Sequence, residues 1–197
     1  MIAIVDYGAG NLLSVVKALQ YLGKECIVTN DPDIVGQADK WIIPGVGNFK
    51  TTAPLANGRL GAVLRGAIPP DGRPLLGICL GLQWMFEGST EAPELHGLGA
   101  FNGLCTRFSE RVKSPHVGWD SIKIDGRSRL LAGISSGTYV YFTHSYRAPV
   151  CCGTIATCTY EEPFTAVVER ANLFGVQFHP EKSGDVGMQI LENFCAL

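Results

Sequence analysis

The first half of the chain alternates short apolar segments with stretches of helical periodicity, and this alternation limits the folds open to it. The apolar runs cover residues 2–6, 26–29, 41–43 and 75–78. Leucine and valine recur at helical spacing over residues 12–22, and further helices are expected over 60–68 and 80–87. Nearly continuous apolar strands followed by helices are typical of a parallel sheet covered on both faces. The sequence therefore predicts an α/β fold with a mostly parallel central sheet flanked by helices.

From about residue 99 onward the pattern changes to short β-like segments. These segments cover residues 121–124, 139–142, 154–158 and 165–168. We expect them to form an antiparallel or mixed extension of the sheet, followed by a last helix over 185–194. No internal repeat, linker or low-complexity segment divides the chain. Residues 1–197 are therefore expected to form one domain.

Charge, hydropathy and cysteine spacing exclude several classes of partner. The 197 residues carry a formal charge of −2 with acidic and basic side chains interspersed, so neither nucleic acid nor an anionic membrane is expected as a partner. No apolar run approaches the ~20 residues that span a bilayer. The seven cysteines are irregularly spaced and include no C-x-x-C pair, which predicts neither a disulfide framework nor a zinc site. We expect no metal, and a reducing location such as the cytoplasm.

A glycine-rich turn after the first apolar run raises the question of a dinucleotide site. Gly8 and Gly10, with Asp31 downstream, match part of the dinucleotide-binding fingerprint, but its third glycine position is Leu13. A bulky side chain there prevents the close helix–strand packing that the fingerprint needs. The sequence therefore predicts no cofactor, and Asn11 is more simply a helix cap.

Cys79 ends an apolar run and opens a turn flanked by Gly77 and Gly81. A cysteine on a strand-to-helix turn holds its sulfur out of the sheet, and the positive end of the following helix favours the thiolate. The glycines permit the sharp bend and leave room for a substrate. Buried cysteines are commonly inert, so a structural cysteine is the alternative interpretation.

A histidine and a carboxylate follow one hundred residues later. His179 and Glu181 flank a proline, which biases His179 toward extended backbone. Residues two apart in an extended segment point to the same side, so we expect the carboxylate to orient the imidazole while the imidazole serves the Cys79 sulfur. A nucleophile, a base and an orienting carboxylate indicate acyl transfer through a thioester. A lone histidine would more often be structural.

Three other segments carry candidate polar groups. Gly45 and Gly47 follow the apolar run 41–43 and suit an oxyanion hole made of backbone N–H groups, although a tight turn is the simpler alternative. His144 lies in the polar cluster of residues 141–146, at the end of a predicted strand, and is interpreted as a local hydrogen-bonding residue rather than a proton-transfer group. Residues 87–94 are expected to form a solvated loop. Trp119 is either a contact anchor or a cover for the core edge.

Together these motifs resemble the class I (triad) glutamine amidotransferases. The resemblance rests on GICLGLQ at residues 77–83 and on the triad of Cys79, His179 and Glu181. Within that class, the chain is similar to the glutaminase subunits of imidazole glycerol phosphate synthases. The segments that carry this closer likeness are VDYGAGNL at 5–12, PGVGNF at 44–49, PHVGW at 115–119 and QFHPEKS at 177–183.

The resemblance implies roles for individual residues. Cys79 would attack the side-chain amide of glutamine, His179 would move the protons, and Glu181 would orient the imidazole. The backbone amides of Gly47 and Leu80 would hold the oxyanion. The amino-acid end of the substrate would be held by Gln83 and by the backbone of Ser145 and Tyr146.

The resemblance also implies a partner. Ammonia would pass to a separate (β/α)₈ cyclase in a heterodimer, which makes imidazole glycerol phosphate and an aminoimidazole carboxamide ribonucleotide in histidine biosynthesis. We expect the backbone of residues 45–48 to be wrongly aimed until the cyclase binds its ligand. The chain begins and ends as a stand-alone subunit of this kind does, so no fused cyclase is expected. The expected partner-facing residues are Tyr7, Asn11, Trp119, Tyr141 and Lys182.

Other interpretations remain open. One alternative is a glutaminase subunit of a different synthase, of the pyridoxal phosphate or anthranilate type, although the motifs at residues 44–47 and 116–119 argue against these. A cysteine peptidase on a similar sheet and a non-catalytic regulatory subunit are further alternatives. Asp120 departs from the pattern, since asparagine is more frequent there, and this puts the strength of an interface in doubt rather than the chemistry.

Overall fold

The computed structural model describes all residues from Met1 to Leu197. Thirteen strands are formed: β1 (Ile2–Val5), β2 (Cys26–Thr29), β3 (Lys40–Ile43), β4 (Leu75–Ile78), β5 (Gly88–Ser89), β6 (Leu104–Arg107), β7 (His116–Ser121), β8 (Lys123–Ile124), β9 (Tyr139–His144), β10 (Tyr146–Arg147), β11 (Thr154–Thr159), β12 (Pro163–Arg170) and β13 (Leu173–Val176). The helices are α1 (Leu12–Tyr21), α2 (Pro32–Gln37), α3 (Ala53–Ala56), α4 (Gly58–Leu64), α5 (Leu80–Trp84) and α6 (Gly184–Ala196). Short 3₁₀ turns cover Phe49–Thr52, Arg65–Ala67 and Pro180–Lys182. None of the helices combines the length and the apolar character needed to cross a bilayer.

Eight of the strands form one central sheet, in the order β2-β1-β3-β4-β13-β12-β11-β8. The five strands from β2 to β13 are parallel, and β12, β11 and β8 continue the sheet in antiparallel pairing. This arrangement confirms the predicted α/β fold with a mostly parallel sheet and an antiparallel extension. Two smaller units stand apart from it: a sheet of β10, β6 and β5, and a ribbon of β7 and β9.

The central strands separate two apolar cores. Every residue of β1, β4 and β13 is buried. Along β1, Ile4 packs into one core with Phe174 and Ile190, whereas Val5 packs into the other with Trp84. Successive side chains of a strand point to opposite faces, so each central strand contributes to both cores. Its apolar run is therefore continuous rather than alternating.

Several element boundaries differ from the sequence prediction. The helix after Cys79 ends at Trp84 rather than near residue 87, and the predicted helix 60–68 is α4 followed by a 3₁₀ turn. The predicted strand 121–124 is divided between β7 and β8. Strand β9 is in the separate ribbon rather than in the extension of the sheet. The sequence prediction does not include α2, which is capped by the Asp31 side chain, because this helix is too short to show a helical period.

Candidate active site

Cys79 occupies a sharp turn between β4 and α5. Its backbone has φ 53° and ψ −106°, a conformation that residues other than glycine rarely adopt. The Cys79 N–H donates to the Val176 carbonyl over 2.8 Å, which anchors the turn to the end of β13. A Cβ atom at Gly81 would collide with the Ile43 carbonyl oxygen, so only glycine lets α5 approach β3 this closely. Backbone strain held by surrounding structure is typical of functional positions.

The parallel pairing of β4 with β13 brings the second half of the site to Cys79. Ile78 lies opposite Val176 in this pairing. The next residues along the two strands, Cys79 and Gln177, are therefore neighbours, and Gln177 Nε2 lies 3.6 Å from Cys79 Sγ. The carboxyl ends of parallel strands in an open α/β sheet are where such sites form.

His179 and Glu181 form a buried pair. Glu181 Oε1 lies 2.7 Å from His179 Nδ1, and both side chains are only 2% exposed. The predicted contact is therefore present. The extended backbone that was expected to produce it is wrong for the residues after His179. Residues Pro180–Lys182 form a 3₁₀ turn rather than an extended segment. His179 Nε2 is buried and has no hydrogen-bond partner of its own in this resting arrangement.

The electrostatics of the pair favour a charged imidazole beside the sulfur. Burial lowers the pKa of His179, but the charge of the neighbouring Cys79 and, after it, the Glu181 carboxylate outweigh burial and raise that pKa to about 10. An imidazolium that faces a cysteine sulfur favours the thiolate form, which is the nucleophile. The arrangement is therefore suited to an attack by sulfur followed by a proton transfer from imidazole.

A cavity of about 220 Å³ opens in front of Cys79. Its wall contains every predicted oxyanion and substrate-binding residue: Gly47, Leu80, Gln83, Ser145 and Tyr146. His179 and Glu181 are not in this wall. The structure thus brings the predicted residues together near Cys79, which lines the cavity and interacts with the His179 imidazole.

Two donors in the wall converge on the Tyr146 carbonyl. Gln83 Nε2 donates to it over 2.7 Å, and His144 Nδ1 lies 2.9 Å from it. Burial lowers the pKa of His144 to about 3, so the ring is neutral and its Nδ1–H is the donor to this carbonyl. This contact agrees with the expected local hydrogen-bonding role of His144.

Glu91 is a wall residue that sequence reasoning missed. Residues 87–94 were expected to form a solvated loop, but the Glu91 carboxylate accepts from the Phe49 N–H over 2.7 Å and is the only carboxylate in the cavity wall. That expectation is wrong for Glu91. Nothing near it in the chain signals this place, because the contact joins two loops that are distant in sequence.

The loop of residues 45–48 does not yet offer a complete oxyanion hole. The Leu80 N–H, one of the two predicted donors, points at the Gly45 carbonyl over 3.4 Å. Val46 and Gly47 are exposed. The Tyr7 hydroxyl, next to Gly45, is buried and has no hydrogen-bond partner. One predicted oxyanion donor is therefore occupied by a carbonyl oxygen.

The expected partner-facing residues differ in how exposed they are. Trp119 is 55% exposed on the β7–β9 ribbon, and the Lys182 ammonium lies 5.8 Å from the centre of the Tyr141 ring. Tyr7 is only 6% exposed, so its assignment to a partner-facing surface is wrong. Asp120, the departure from the expected asparagine, has its carboxylate 3.4 Å from His116 Nε2.

The chain is similar to known proteins at the level of both sequence and family. The family model of the class-I glutamine amidotransferases matches residues 3–197. An imidazole glycerol phosphate synthase subunit HisH from Bacillus mycoides is 43% identical over 98% of this chain and 93% of its own length. The subunit of the same name from Thermococcus kodakarensis is 44% identical over the full length of both chains.

Solved structures agree at the level of the fold. A crystal structure of a glutamine amidotransferase superposes with a TM-score of 0.76 at 17% identity, covering 99% of this chain and all of the other. The structure of PurLQS from Thermotoga maritima gives a TM-score of 0.71 at 16% identity over 99% of this chain and 97% of that one. The match to the family model and the 43% identity over nearly the whole chain decide its classification: the chain belongs to the class-I glutamine amidotransferase family and, within it, to the HisH subunits of imidazole glycerol phosphate synthase.

Proposed function

We propose that the chain hydrolyses glutamine through a glutamyl thioester on Cys79 and delivers the ammonia to a separate cyclase subunit. The observation that carries this proposal is that Cys79 lines an open cavity and interacts with the buried His179–Glu181 pair. A nucleophile, a base and an orienting carboxylate in this order are the parts that acyl transfer requires.

The reaction begins with attack of the Cys79 thiolate on the side-chain carbonyl carbon of glutamine. The carbonyl electrons move to the oxygen, which takes up a negative charge and needs backbone N–H donors. The His179 imidazolium then gives its proton to the amide nitrogen, the C–N bond breaks, and ammonia leaves the thioester. The neutral imidazole next takes a proton from water as the water attacks the thioester. Glutamate and the free cysteine are the result.

Recognition of the free amino acid falls to the polar wall of the cavity. Glu91 supplies a negative charge for the α-ammonium group of glutamine. Both N–H groups of Gln83 are directed at Tyr146 and Gln177, so only its carbonyl oxygen remains to accept from the same ammonium. The backbone of Ser145 and Tyr146 then faces the α-carboxylate. A peptide-bound glutamine lacks the free ammonium, which disfavours a peptidase.

Activity is limited by the loop of residues 45–48 until a partner acts on it. The hydrogen bond from Leu80 N–H to the Gly45 carbonyl has to break before that amide can hold the oxyanion. A loop movement that completes the site only in the complex prevents hydrolysis of glutamine without an acceptor for the ammonia.

The partner is a (β/α)₈ cyclase that forms imidazole glycerol phosphate and an aminoimidazole carboxamide ribonucleotide in histidine biosynthesis. The relatives' names, which describe synthase subunits, support a heterodimer. The exposed apolar side chains of Val117 and Trp119 on β7 offer a contact surface. All seven cysteines are free, which supports a cytoplasmic location.

The test is glutamate release from glutamine by this chain, alone and then with a cyclase subunit and its nucleotide ligand. We expect strong stimulation by the partner, and loss of at least about 10⁴-fold in activity in Cys79→Ala. Cys152→Ala, which changes an exposed cysteine, serves as the control and should match the unaltered chain. No glutamate release in the presence of the partner would contradict the proposal.

A further inference from the structure

Two buried glutamine side chains connect the Cys79 sulfur to the cavity wall. Gln177 is completely buried and Gln83 is 4% exposed. Gln177 Nε2 lies 3.6 Å from Cys79 Sγ, and its Oε1 accepts from Gln83 Nε2 over 3.2 Å. Gln83 Nε2 also donates to the Tyr146 carbonyl over 2.7 Å. The sulfur, the two amides and the backbone carbonyl therefore form a continuous chain of hydrogen bonds.

The direction of this chain is set at its far end. The Tyr146 carbonyl can only accept, so the amide of Gln83 has to turn its NH₂ group toward it. The same NH₂ group then faces Gln177, which has to present its own carbonyl oxygen there. The NH₂ group of Gln177 is left on the side of Cys79. Turning Gln177 over would place two donors together and point its carbonyl oxygen at the sulfur. Turning Gln83 over would set its carbonyl oxygen against the carbonyl oxygens of Tyr146 and Gln177.

We infer that Gln177 is a further catalytic residue, whose amide N–H holds the Cys79 thiolate in place, and that Gln83 is a positioning residue that acts through it. The inference rests on the proposed function, because it assigns a role at the same sulfur. The triad does not require this residue, and its function differs from that of His179, which moves protons.

The surroundings of the Cys79 sulfur explain why a thiolate there needs the Gln177 N–H donor. Cys79 is 5% exposed, and a buried anion is costly without hydrogen bonds. The Thr143 carbonyl, 3.9 Å from Sγ, can bond a thiol but not a thiolate, since it only accepts. Gln177 Nε2 donates to the sulfur over 3.6 Å in the resting structure, and the neighbouring His179 imidazolium, whose pKa the Cys79 charge raises, supplies a positive charge beside it. A charged acceptor strengthens such a bond.

The test measures the alkylation of Cys79 by iodoacetamide against pH in the intact chain, with mass spectrometry of the Cys79 peptide. Gln177→Glu keeps the shape of the side chain but replaces the donor by an acceptor, and Gln177→Met removes both. For each variant we expect about a 10-fold slower reaction at pH 7, with the midpoint of the rate profile moved up by about one pH unit. Gln20→Glu, on the exposed face of α1, is the matched control and should leave the profile unchanged.

The outcomes separate this inference from the proposed function. If Cys79 of the unaltered chain reacts as a thiolate and both Gln177 variants match it, only the inference is overturned. If Cys79 of the unaltered chain shows no thiolate reactivity, the proposed nucleophile fails as well. Thermal melting establishes that each variant is folded. Gln83→Met tests the chain of hydrogen bonds from its other end, with a smaller slowing expected because Gln177 keeps its donor but loses its orientation.

Discussion

The two sides of the Cys79 sulfur are built in different ways. On one side, Gln177 and His179 are 0% and 2% exposed, and they follow directly from a strand paired with β4. On the other side, Val46 and Gly47 are exposed residues of a loop, and the Leu80 N–H is occupied by the Gly45 carbonyl. Packed strand ends resist movement, whereas exposed loops move at low free-energy cost. The sheet therefore positions the Cys79 sulfur, whereas the proposed oxyanion hole depends on an exposed loop.

After the loss of Cys79 itself, the largest effect is expected on the buried side, from Glu181→Gln. The substitution keeps the shape but removes the charge next to His179, so glutamine hydrolysis should fall about 10³-fold. The pKa of His179, about 10 in the unaltered chain, should move down in an NMR titration. Glu87→Gln changes an exposed carboxylate and is the control. An unchanged pKa of His179 would mean that the pair does not prepare the imidazole.

The same raised pKa has a consequence for stability. Because the folded chain holds the His179 proton up to pH about 10 and the unfolded chain releases it near 6.5, the stabilisation is complete below pH 6.5. It is lost as the pH rises through about 10. The difference in the free energy of unfolding between the unaltered chain and Glu181→Gln should therefore shrink between these two values.

On the loop side, Gly45→Ala should impair hydrolysis without changing the sulfur. A Cβ atom at position 45 would lie 2.7 Å from the Cβ atom of Leu80 and would collide with the Tyr7 hydroxyl, so the loop has to shift. Misplacing an oxyanion donor should lower partner-stimulated hydrolysis about 10²-fold. Alkylation of Cys79 should stay at its original rate. Gly36→Ala, where the new Cβ atom meets only an ordinary contact at 3.9 Å, is the control. If hydrolysis and alkylation fell by the same factor, the two sides of the Cys79 sulfur would not act separately.

A smaller effect concerns His144 in the cavity wall. The unfolded chain binds a proton near pH 6.5 that the folded chain takes up only near pH 3, so stability falls as the pH drops below 6.5. At pH 5 this amounts to about 2 kcal/mol in the free energy of unfolding. His144→Gln should lose that part of the pH dependence, whereas His96→Gln, at an exposed position, should keep it. Urea unfolding at pH 5 and pH 7.5 measures the difference, and identical slopes for all three chains would refute it.

The smallest effect is expected from Tyr7→Phe. The hydroxyl is buried without a partner, and burial, with the charge of Cys79 added, raises the pKa of Tyr7, so it stays neutral. Its removal loses no hydrogen bond and should stabilise the chain by less than about 1 kcal/mol in thermal unfolding. Tyr21→Phe, at a position that is 83% exposed, gives the baseline. A clear destabilisation would reveal that the hydroxyl supports the loop after all.

The positions of Cys79 and His179 on the buried side of the site could be predicted from the sequence, because they follow from local sequence rules. Cys79 directly follows an apolar strand, and His179 follows another, so the strand-end rule brings both to one edge. The same rules predicted the parallel sheet, its antiparallel extension and α6. Helix propensity did not give the early end of α5 at Trp84, because contacts with other segments decide where a short helix stops.

The remaining parts depend on contacts between distant segments. Glu91 enters the wall because the loop that carries it meets the Phe49 N–H, and no local pattern predicts that meeting. The bond between Leu80 and Gly45 arises in the same way. Tyr7 lies in a motif that suggested a partner contact, but the close approach of Gly45 buries it. Local sequence thus specifies where the sulfur and imidazole lie, and tertiary packing specifies the substrate wall.

The most direct test compares two reactions of Cys79 with and without the cyclase subunit and its ligand. Alkylation by iodoacetamide needs the thiolate but no oxyanion hole, whereas glutamine hydrolysis needs both. We expect the partner to raise hydrolysis strongly and to leave the alkylation rate nearly unchanged. If the partner accelerates both reactions to the same extent, the sulfur is not prepared by the sheet, and the division between the two sides of the site is wrong.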